Sequence, residues 1–327
     1  MEQNQTAPGR IEQAAAIVAA MRAEIAKAIV GQAEVVDQVI ATLLAAGHAL
    51  VEGVPGVGKT LLVRALAKTF AGTFSRIQFT PDLMPADVTG HTLYDQKAQQ
   101  FVTRRGPVFA NLLLADEINR APAKTQAALL EVMQEGQVTI EGRSEALEPP
   151  FMVLATQNPI EQEGTYALPE AQLDRFLLKV RIDYPGPEEE ARMVRQVTEG
   201  MVGDRLNVEP VATLVKPAAV LALQAATAAL AVEDGVLDYA VRLVRATRSW
   251  TGVAAGAGPR GGIALVRAAR AAALIAGRDF VTPDDVKSMA LPALRHRVTP
   301  APELEIEGQS SDMILNALIE RVEAPRK

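Results

Sequence analysis

Cysteine is absent from this 327-residue chain. Disulfides, thiolate nucleophiles and cysteine-based zinc sites are thereby excluded. The three histidines, His48, His91 and His296, are scattered along the sequence, so no metal site of the chain's own is expected from them. Aromatic residues make up only 4%, which leaves a core to be built from Ala, Leu, Val and Ile. A basic surplus is missing as well. The formal net charge is −6, whereas a protein that coats nucleic acid carries positive charge, and nucleic acid is not expected as a partner. No apolar run approaches the roughly 20 residues of a membrane span; the longest lies near Ala271–Ala276. The first residues show no basic segment followed by an apolar stretch, so no signal peptide is read. These absences together predict a cytoplasmic protein.

What is present is an ordinary globular balance, with 49% hydrophobic and 22% charged residues. The length suggests about two domains. Residues 1–8 read as a polar, flexible N-terminus. Helices are predicted over 11–30 and 34–46. The apolar run His48–Glu52 then reads as a buried strand. Helices and short apolar strands alternate from there: a helix at 60–70, a strand at 76–80, a strand at 111–115, a helix at 122–134, a strand at 151–155, a short helix at 171–176 and a strand at 177–182. Alternation with wholly apolar strands predicts a parallel sheet covered on both faces. Two polar inserts, 93–108 with a turn at Asp95-Gln96-Lys97 and 136–147 with a turn at Glu141-Gly142, read as hairpins. The bland alternative is a pair of surface hairpins with no task.

Tyr184-Pro185-Gly186-Pro187 marks a boundary. Beyond it only helical patterns follow, at 188–198, 217–230, 235–250, 259–276, 282–294 and 310–322. Thr282-Pro283-Asp284-Asp285 is a helix start, with Thr as N-cap, Pro in the first turn and acids after it. The fold class is therefore α/β: a nucleotide-binding domain over 9–185 and an all-α domain over 186–327.

The strongest motif is Gly53-Val54-Pro55-Gly56-Val57-Gly58-Lys59-Thr60, which matches G-x-x-x-x-G-K-[ST] in full, with a strand before it and after it a helix from Thr60 whose next residue, Leu61, is counted with the nucleotide site. Glycines allow backbone N–H groups to turn inward on phosphate oxygens. The helix N-terminus adds the positive end of its dipole. Lys59 would reach the β and γ phosphates of ATP, and Thr60 would take a Mg2+ position. The run Leu112–Ala115 ends in Asp116-Glu117. Two acids at the end of a buried strand need a partner. Asp116 would hold Mg2+ and Glu117 would polarise the attacking water; the bland alternative is a helix-capping pair. Asn158 ends the next strand, where an amide positions a water near the γ phosphate, although Asn before Pro also makes turns.

These residues resemble the AAA+ ATPases, and within them the MoxR family, which is related to magnesium chelatase motor subunits. The resemblance is carried by Gly53–Thr60, by Leu113-Leu-Ala-Asp-Glu-Ile-Asn-Arg120, by Ala155-Thr-Gln-Asn-Pro159 and by Leu168-Pro-Glu-Ala-Gln-Leu-Asp-Arg-Phe176. It implies a P-loop AAA+ core followed by a helical lid. It also implies a homo-oligomeric ring, expected to be a hexamer, that remodels or matures protein complexes in a chaperone-like way. Asn158 matches sensor 1, Arg175 the arginine finger that enters a neighbour's site, and Arg260 sensor 2. Gly31-Gln32 match the adenine-contacting region, and the two hairpins match the helix-2 and pre-sensor-1 inserts. An arginine fork suits the charge that builds on a transferring phosphoryl group. The competing readings are a salt bridge from Arg175 to Asp174 or Glu170, and a surface position for Arg260. Arg120 and Arg181 are weaker finger candidates, and Asn119 has no assigned role. No aromatic-hydrophobic-Gly pore loop is found, and the hairpins are expected to lack exposed aromatics. The resemblance further implies a partner with a von Willebrand A domain, whose metal Glu141 or Glu145 would meet. A nucleic-acid motor and a metal-insertion motor share most of these motifs.

Overall fold

The computed structural model describes residues 8–54, 56–158, 165–199 and 207–325. Pro55 of the phosphate loop, Pro159 and the expected tail through residue 7 lie outside the described residues. In chain order the strands are β1 (Ala49–Gly53), β2 (Phe74–Gln78), the hairpin β3 (Gly90–Asp95) and β4 (Gln100–Arg105), β5 (Leu112–Asp116), the hairpin β6 (Gln137–Ile140) and β7 (Arg143–Ala146), β8 (Met152–Gln157), β9 (Leu178–Ile182), and β10 (Val253–Ala255) with β11 (Thr299–Pro300). Five of them form one sheet in the order β2-β5-β8-β1-β9, and every pairing in it is parallel.

The pattern follows from where the apolar side chains go. Alternate residues of a strand face opposite sides of its sheet. Val51, Leu112, Leu114, Leu154 and Val180 join one apolar cluster with the N-terminal helices, the phosphate-loop helix and the lid. Leu50, Leu113, Ala115, Val153 and Ala155 join a second cluster with the helix Ala123–Glu135. With both faces covered, the central strands read as continuous apolar runs in the sequence. The carboxyl ends of β1, β5 and β8 come side by side. That edge of an open parallel sheet is where ligands bind.

Both hairpins form. Asp95 Oδ1 accepts from the N–H groups of Lys97 and Ala98 at 2.8 and 3.1 Å, closing the first. Glu141 (φ 47°) and Gly142 (φ 76°) turn the second through left-handed backbone. The expectation of hairpins without exposed aromatics is corrected here. Tyr94 and Phe101 are 53% and 74% exposed and pack edge to face across β3 and β4 with ring centroids 5.2 Å apart. They oppose each other only once the strands are in register, so the linear sequence does not display them as a pair. Arg105 and Glu145, 3.1 Å apart, tie the two hairpins together.

The second half is helical apart from the small antiparallel ribbon β10–β11, which was not expected. Its strands have three and two residues, too few for a periodic signal. The helix start at 282 is built as expected. Thr282 Oγ1 accepts from the Asp285 N–H, and Asp285 returns the contact and takes Arg278 through both carboxylate oxygens at 2.6 Å. The lid does not hang loose. Gln224 donates to the Leu43 carbonyl at 2.7 Å, and the buried Arg297 donates to Phe176 and Leu177 carbonyls while pairing with Asp174 at 2.7 Å.

Candidate nucleotide site

β1 ends at Gly53, a position that takes glycine because a side chain there would meet the Ile182 carbonyl on β9. The backbone then turns through Gly56 (φ 85°) and Gly58 (φ 83°) into the helix Lys59–Thr69. Left-handed backbone favours glycine, and nothing stands within 4 Å of where either Cβ would project. The helix has Gly58 at its N-cap and no side chain capping its first N–H groups. A helix start without a side-chain cap, facing a glycine cradle that no side chain enters, fits an anion. Val57 is buried and Leu61 and Val54 pack against the core, so the loop is anchored on its inner side. Gln32 reinforces it by donating to the Val57 carbonyl at 3.2 Å.

The cradle opens on a cleft of about 340 Å³ that brings together Lys59, Thr60, Asp116, Glu117 and Asn158. These are the phosphate, metal and water residues expected from the sequence. Lys59 donates to the Gly53 carbonyl. Burial pulls its pKa down, and Asp116, Glu117 and Glu52 pull it part of the way back. Asp116 Oδ1 accepts from the Thr156 hydroxyl at 2.6 Å and its Oδ2 from Arg76 at 2.7 Å. Glu117 sits at φ 54° and ψ 52°, a conformation that costs a non-glycine residue about 1 kcal/mol or more. Its carboxylate accepts from Gln78 at 2.7 Å and from Arg120 at 2.8 Å. Asn158 is only 8% exposed. The Thr60 hydroxyl and the Asp116 carboxylate, both oxygen donors on one cleft, suit a hard divalent cation such as Mg2+.

Three residues of this cleft were not anticipated. The Thr156 hydroxyl donates to Asp116 and accepts from the Glu117 N–H at 2.9 Å, so one side chain sets both acids. Arg76 and Gln78, two apart on the edge strand β2, point to the same side and each takes one of the acids. The only signal was the polar alternation Ser75-Arg76-Ile77-Gln78, which also describes a solvated edge.

Arg175 and Arg260 are elsewhere. They line a separate cleft of about 400 Å³ with Asp174, His48, Arg267 and Arg297. Arg175 donates to the Leu130 carbonyl at 2.8 Å. The alternative of a salt bridge from Arg175 to Asp174 or Glu170 is not what forms: Asp174 is held by Arg297 and lies 4.0 Å from Arg260, and Glu170 accepts from Thr299. Arg260 is 56% exposed. Arg181, a weaker finger candidate, is spent on Glu52 and Asp312 at 3.1 and 3.0 Å, and Arg120 is paired with Glu117 of its own site. Gly31 and Gln32 line a third cleft, of about 610 Å³, with Glu189, Arg192 and Gln196.

Comparison with known proteins agrees with this geometry. The model of the ATPase family associated with various cellular activities (AAA) matches residues 48–178, and that of the AAA lid domain matches residues 245–317. The chain is 46% identical to "Chaperone MoxR1" of Mycobacterium tuberculosis, with 93% of this chain and 81% of that protein covered. It is 34% identical to "Protein MoxR" of Methylorubrum extorquens, covering 92% and 93%. A solved structure of a Cytophaga hutchinsonii protein, provisionally named an ATPase, superposes with a TM-score of 0.90 at 39% identity and covers 97% and 98% of the two chains. The chain belongs to the MoxR family of AAA ATPases.

Proposed function

We propose that the chain hydrolyses ATP to ADP and phosphate as a cytoplasmic homo-oligomeric ring, expected to be a hexamer, and spends the energy on chaperone-like remodelling of protein complexes. Residues 9–185 act as the nucleotide-binding domain and 186–327 as its lid. The observation that carries this is the cleft that gathers Lys59, Thr60, Asp116, Glu117 and Asn158 beside the glycine backbone of the loop.

The phosphates take the N–H groups around Gly56 and Gly58 and the start of the helix behind them. Lys59 exchanges the Gly53 carbonyl for phosphate oxygens. The purine lies toward Gly31 and Gln32, and Gln32 is tied to the loop by its hydrogen bond to the Val57 carbonyl. Thr60 and Asp116 would hold Mg2+, which would supply charge neutralisation at the phosphate oxygens. Glu117 accepts a proton from the attacking water as the bond between the γ phosphorus and its bridging oxygen breaks. Asn158 holds that water in line. Arg175 and Arg260 act on the γ phosphate of the neighbouring subunit, which is favoured by their place in a cleft apart from their own phosphate loop.

Two dead variants test the division between subunits. Arg175→Ala and Glu117→Gln should each stop turnover alone. Mixed in equal amounts they should recover about a quarter of wild-type turnover, because half the sites keep Glu117 and half of those face an intact Arg175. No recovery, with both variants assembled, refutes action across the interface.

The client is met by the two hairpins. Tyr94 and Phe101 offer an apolar grip. Glu145 is already paired with Arg105, so Glu141 at the turn of β6 and β7 is the better carboxylate for the metal of a von Willebrand A-domain partner.

A further inference from the structure

The lid carries an apolar groove that the nucleotide chemistry does not use. It runs between the helices Asp234–Thr247 and Pro259–Ile275 and encloses about 480 Å³. Leu237, Val241 and Ile263 floor it, 43%, 43% and 59% exposed. Leu237 and Val241, four apart on one helix, have the spacing of a packed face, and Ile263 faces them from the other helix. Arg245, Arg248, Arg267 and Arg270 rim it. None of the four is paired with a carboxylate among the described residues. Arg248 and Arg267 donate to the neutral carbonyls of Ala257, Ala45 and Ala46, so their charge is not cancelled.

The chain also carries a helix that matches this groove. In Pro187–Thr198 no residue is buried. Its inner side rests on the core, with Gln196 donating to the Lys27 carbonyl at 2.6 Å and Glu189 over Gly31. The helical repeat turns Glu190, Val194 and Val197 outward together, and the two valines are 52% and 51% exposed. Its three glutamates fill the first turn; its arginines, Arg192 and Arg195, follow later.

Each patch borders one half of the divided ATP site. Ile263 and Arg267 line both the groove and the cleft of Arg175 and Arg260. Glu189 and Gln196 line the Gly31–Gln32 cleft. A subunit whose arginines reach a neighbour's phosphates thereby brings its groove toward the neighbour's exposed helix.

We propose that the groove receives the helix Pro187–Thr198 of a second copy of this chain, with Val194 and Val197 against Leu237, Val241 and Ile263, and Glu190, on the same face as the two valines, against the rim arginines. The orientation rests on the reading that Arg175 and Arg260 act across the interface. Groove and helix are different patches of one chain, so the contact is heterologous and repeats around an axis until the ring closes.

The natural lack of cysteine makes the test direct. The double variant Val194→Cys, Ile263→Cys, oxidised gently with ATP present, should give a ladder of covalent multimers on a non-reducing gel that ends at the ring. A mixture of the two single variants should give cross-linked dimers and nothing larger. Both positions are exposed, so folding is not at stake. Independently, Arg245→Glu with Arg270→Glu should shift the ATP-bound species from ring to monomer in sedimentation, and adding Glu190→Arg should restore the ring at least in part. No ladder with no loss of mass overturns the proposal. Loss of mass without rescue or ladder means that the groove meets some other surface of the neighbouring copy, and it overturns the proposal too. The mixing of Arg175→Ala with Glu117→Gln reports separately. Recovery without a ladder sinks the groove and spares the arginines, and a ladder without recovery does the reverse.

Discussion

Acidification should unfold this protein partly through His48. Its ring sits just before β1, with Nε2 3.0 Å from the Met133 carbonyl and Nδ1 accepting the Val153 N–H at 3.0 Å. That pairing requires the neutral ring, which donates once and accepts once. Burial pushes the pKa down from 6.5 to about 4, and nearby Arg267 adds to the fall. Above pH 6.5 the ring is neutral in folded and unfolded chains alike, and the full stability is present. Between 6.5 and 4 the unfolded chain binds a proton that the folded one refuses, so stability falls with pH. Below about 4 both bind it and the loss is complete. At roughly 1.4 kcal/mol per tenfold change, the loss is about 3 kcal/mol.

His48→Asn isolates this contribution. The Asn amide oxygen can still accept from Val153, while the Met133 carbonyl loses its donor at a cost of about 1 kcal/mol. The variant should therefore be less stable at pH 7 yet lose about 3 kcal/mol less than wild type between pH 6.5 and 4. Urea unfolding followed by the single tryptophan, Trp250, at a series of pH values measures both slopes. His296, whose pKa is also driven well down by burial and Arg297, is common to both proteins and cancels in the difference. Parallel stability-versus-pH curves for the two proteins would refute the reasoning.

Lys59→Ala should abolish ATP binding, whereas Glu117→Gln should bind ATP and release no phosphate; calorimetry and phosphate release distinguish the two. Thr156→Val, which removes the hydroxyl shared by Asp116 and Glu117, should lower kcat by about tenfold or more with little change in ATP affinity, and Thr156→Ser should restore it. Phe101→Ala should weaken capture of a protein client by the Glu117→Gln ring, and Glu141→Ala should do so only while divalent metal is present, both read by co-sedimentation with and without EDTA.

Much of the frame was legible because the physics behind it is local. Leu112–Ala115 and Met152–Ala155 read as buried strands since both faces of the sheet are covered. The Glu141-Gly142 turn and the Thr282 helix start depend on side chains within a few residues. Position 117 after a buried strand marked the acid without any tertiary information. What stayed hidden depends on register and on packing between distant segments. Arg76 and Gln78 meet Asp116 and Glu117 only because β2 pairs with β5. Tyr94 meets Phe101 only across a hairpin. Arg297, which binds Asp174 and two carbonyls before β9, gave no sign in the sequence of being the pin between lid and core.

The paired state of the site carries a mechanical consequence. Lys59, Asp116 and Glu117 are each engaged by protein groups: the Gly53 carbonyl, Arg76, and Gln78 with Arg120. Under the proposed function, nucleotide has to replace these contacts, and it shifts the chain only by the difference in free energy between the old set and the new. Two of the displaced partners, Arg76 and Gln78, belong to β2, which lies at the edge of the sheet and pairs on one side with β5. β2 runs on through the short helix Pro85–Thr89 into β3, and Thr125 holds the connection by donating to the Leu83 carbonyl at 2.7 Å. Release of Asp116 from Arg76 therefore acts on the strand that leads to Tyr94 and Phe101, and the Arg105–Glu145 pair passes it to the second hairpin. An edge strand is the cheapest element of the sheet to displace, since one ladder of hydrogen bonds holds it where the central strands have two. Asp116 and Glu117 are thus tied to an edge strand of the core, and that strand is continuous with the surface proposed to hold the client.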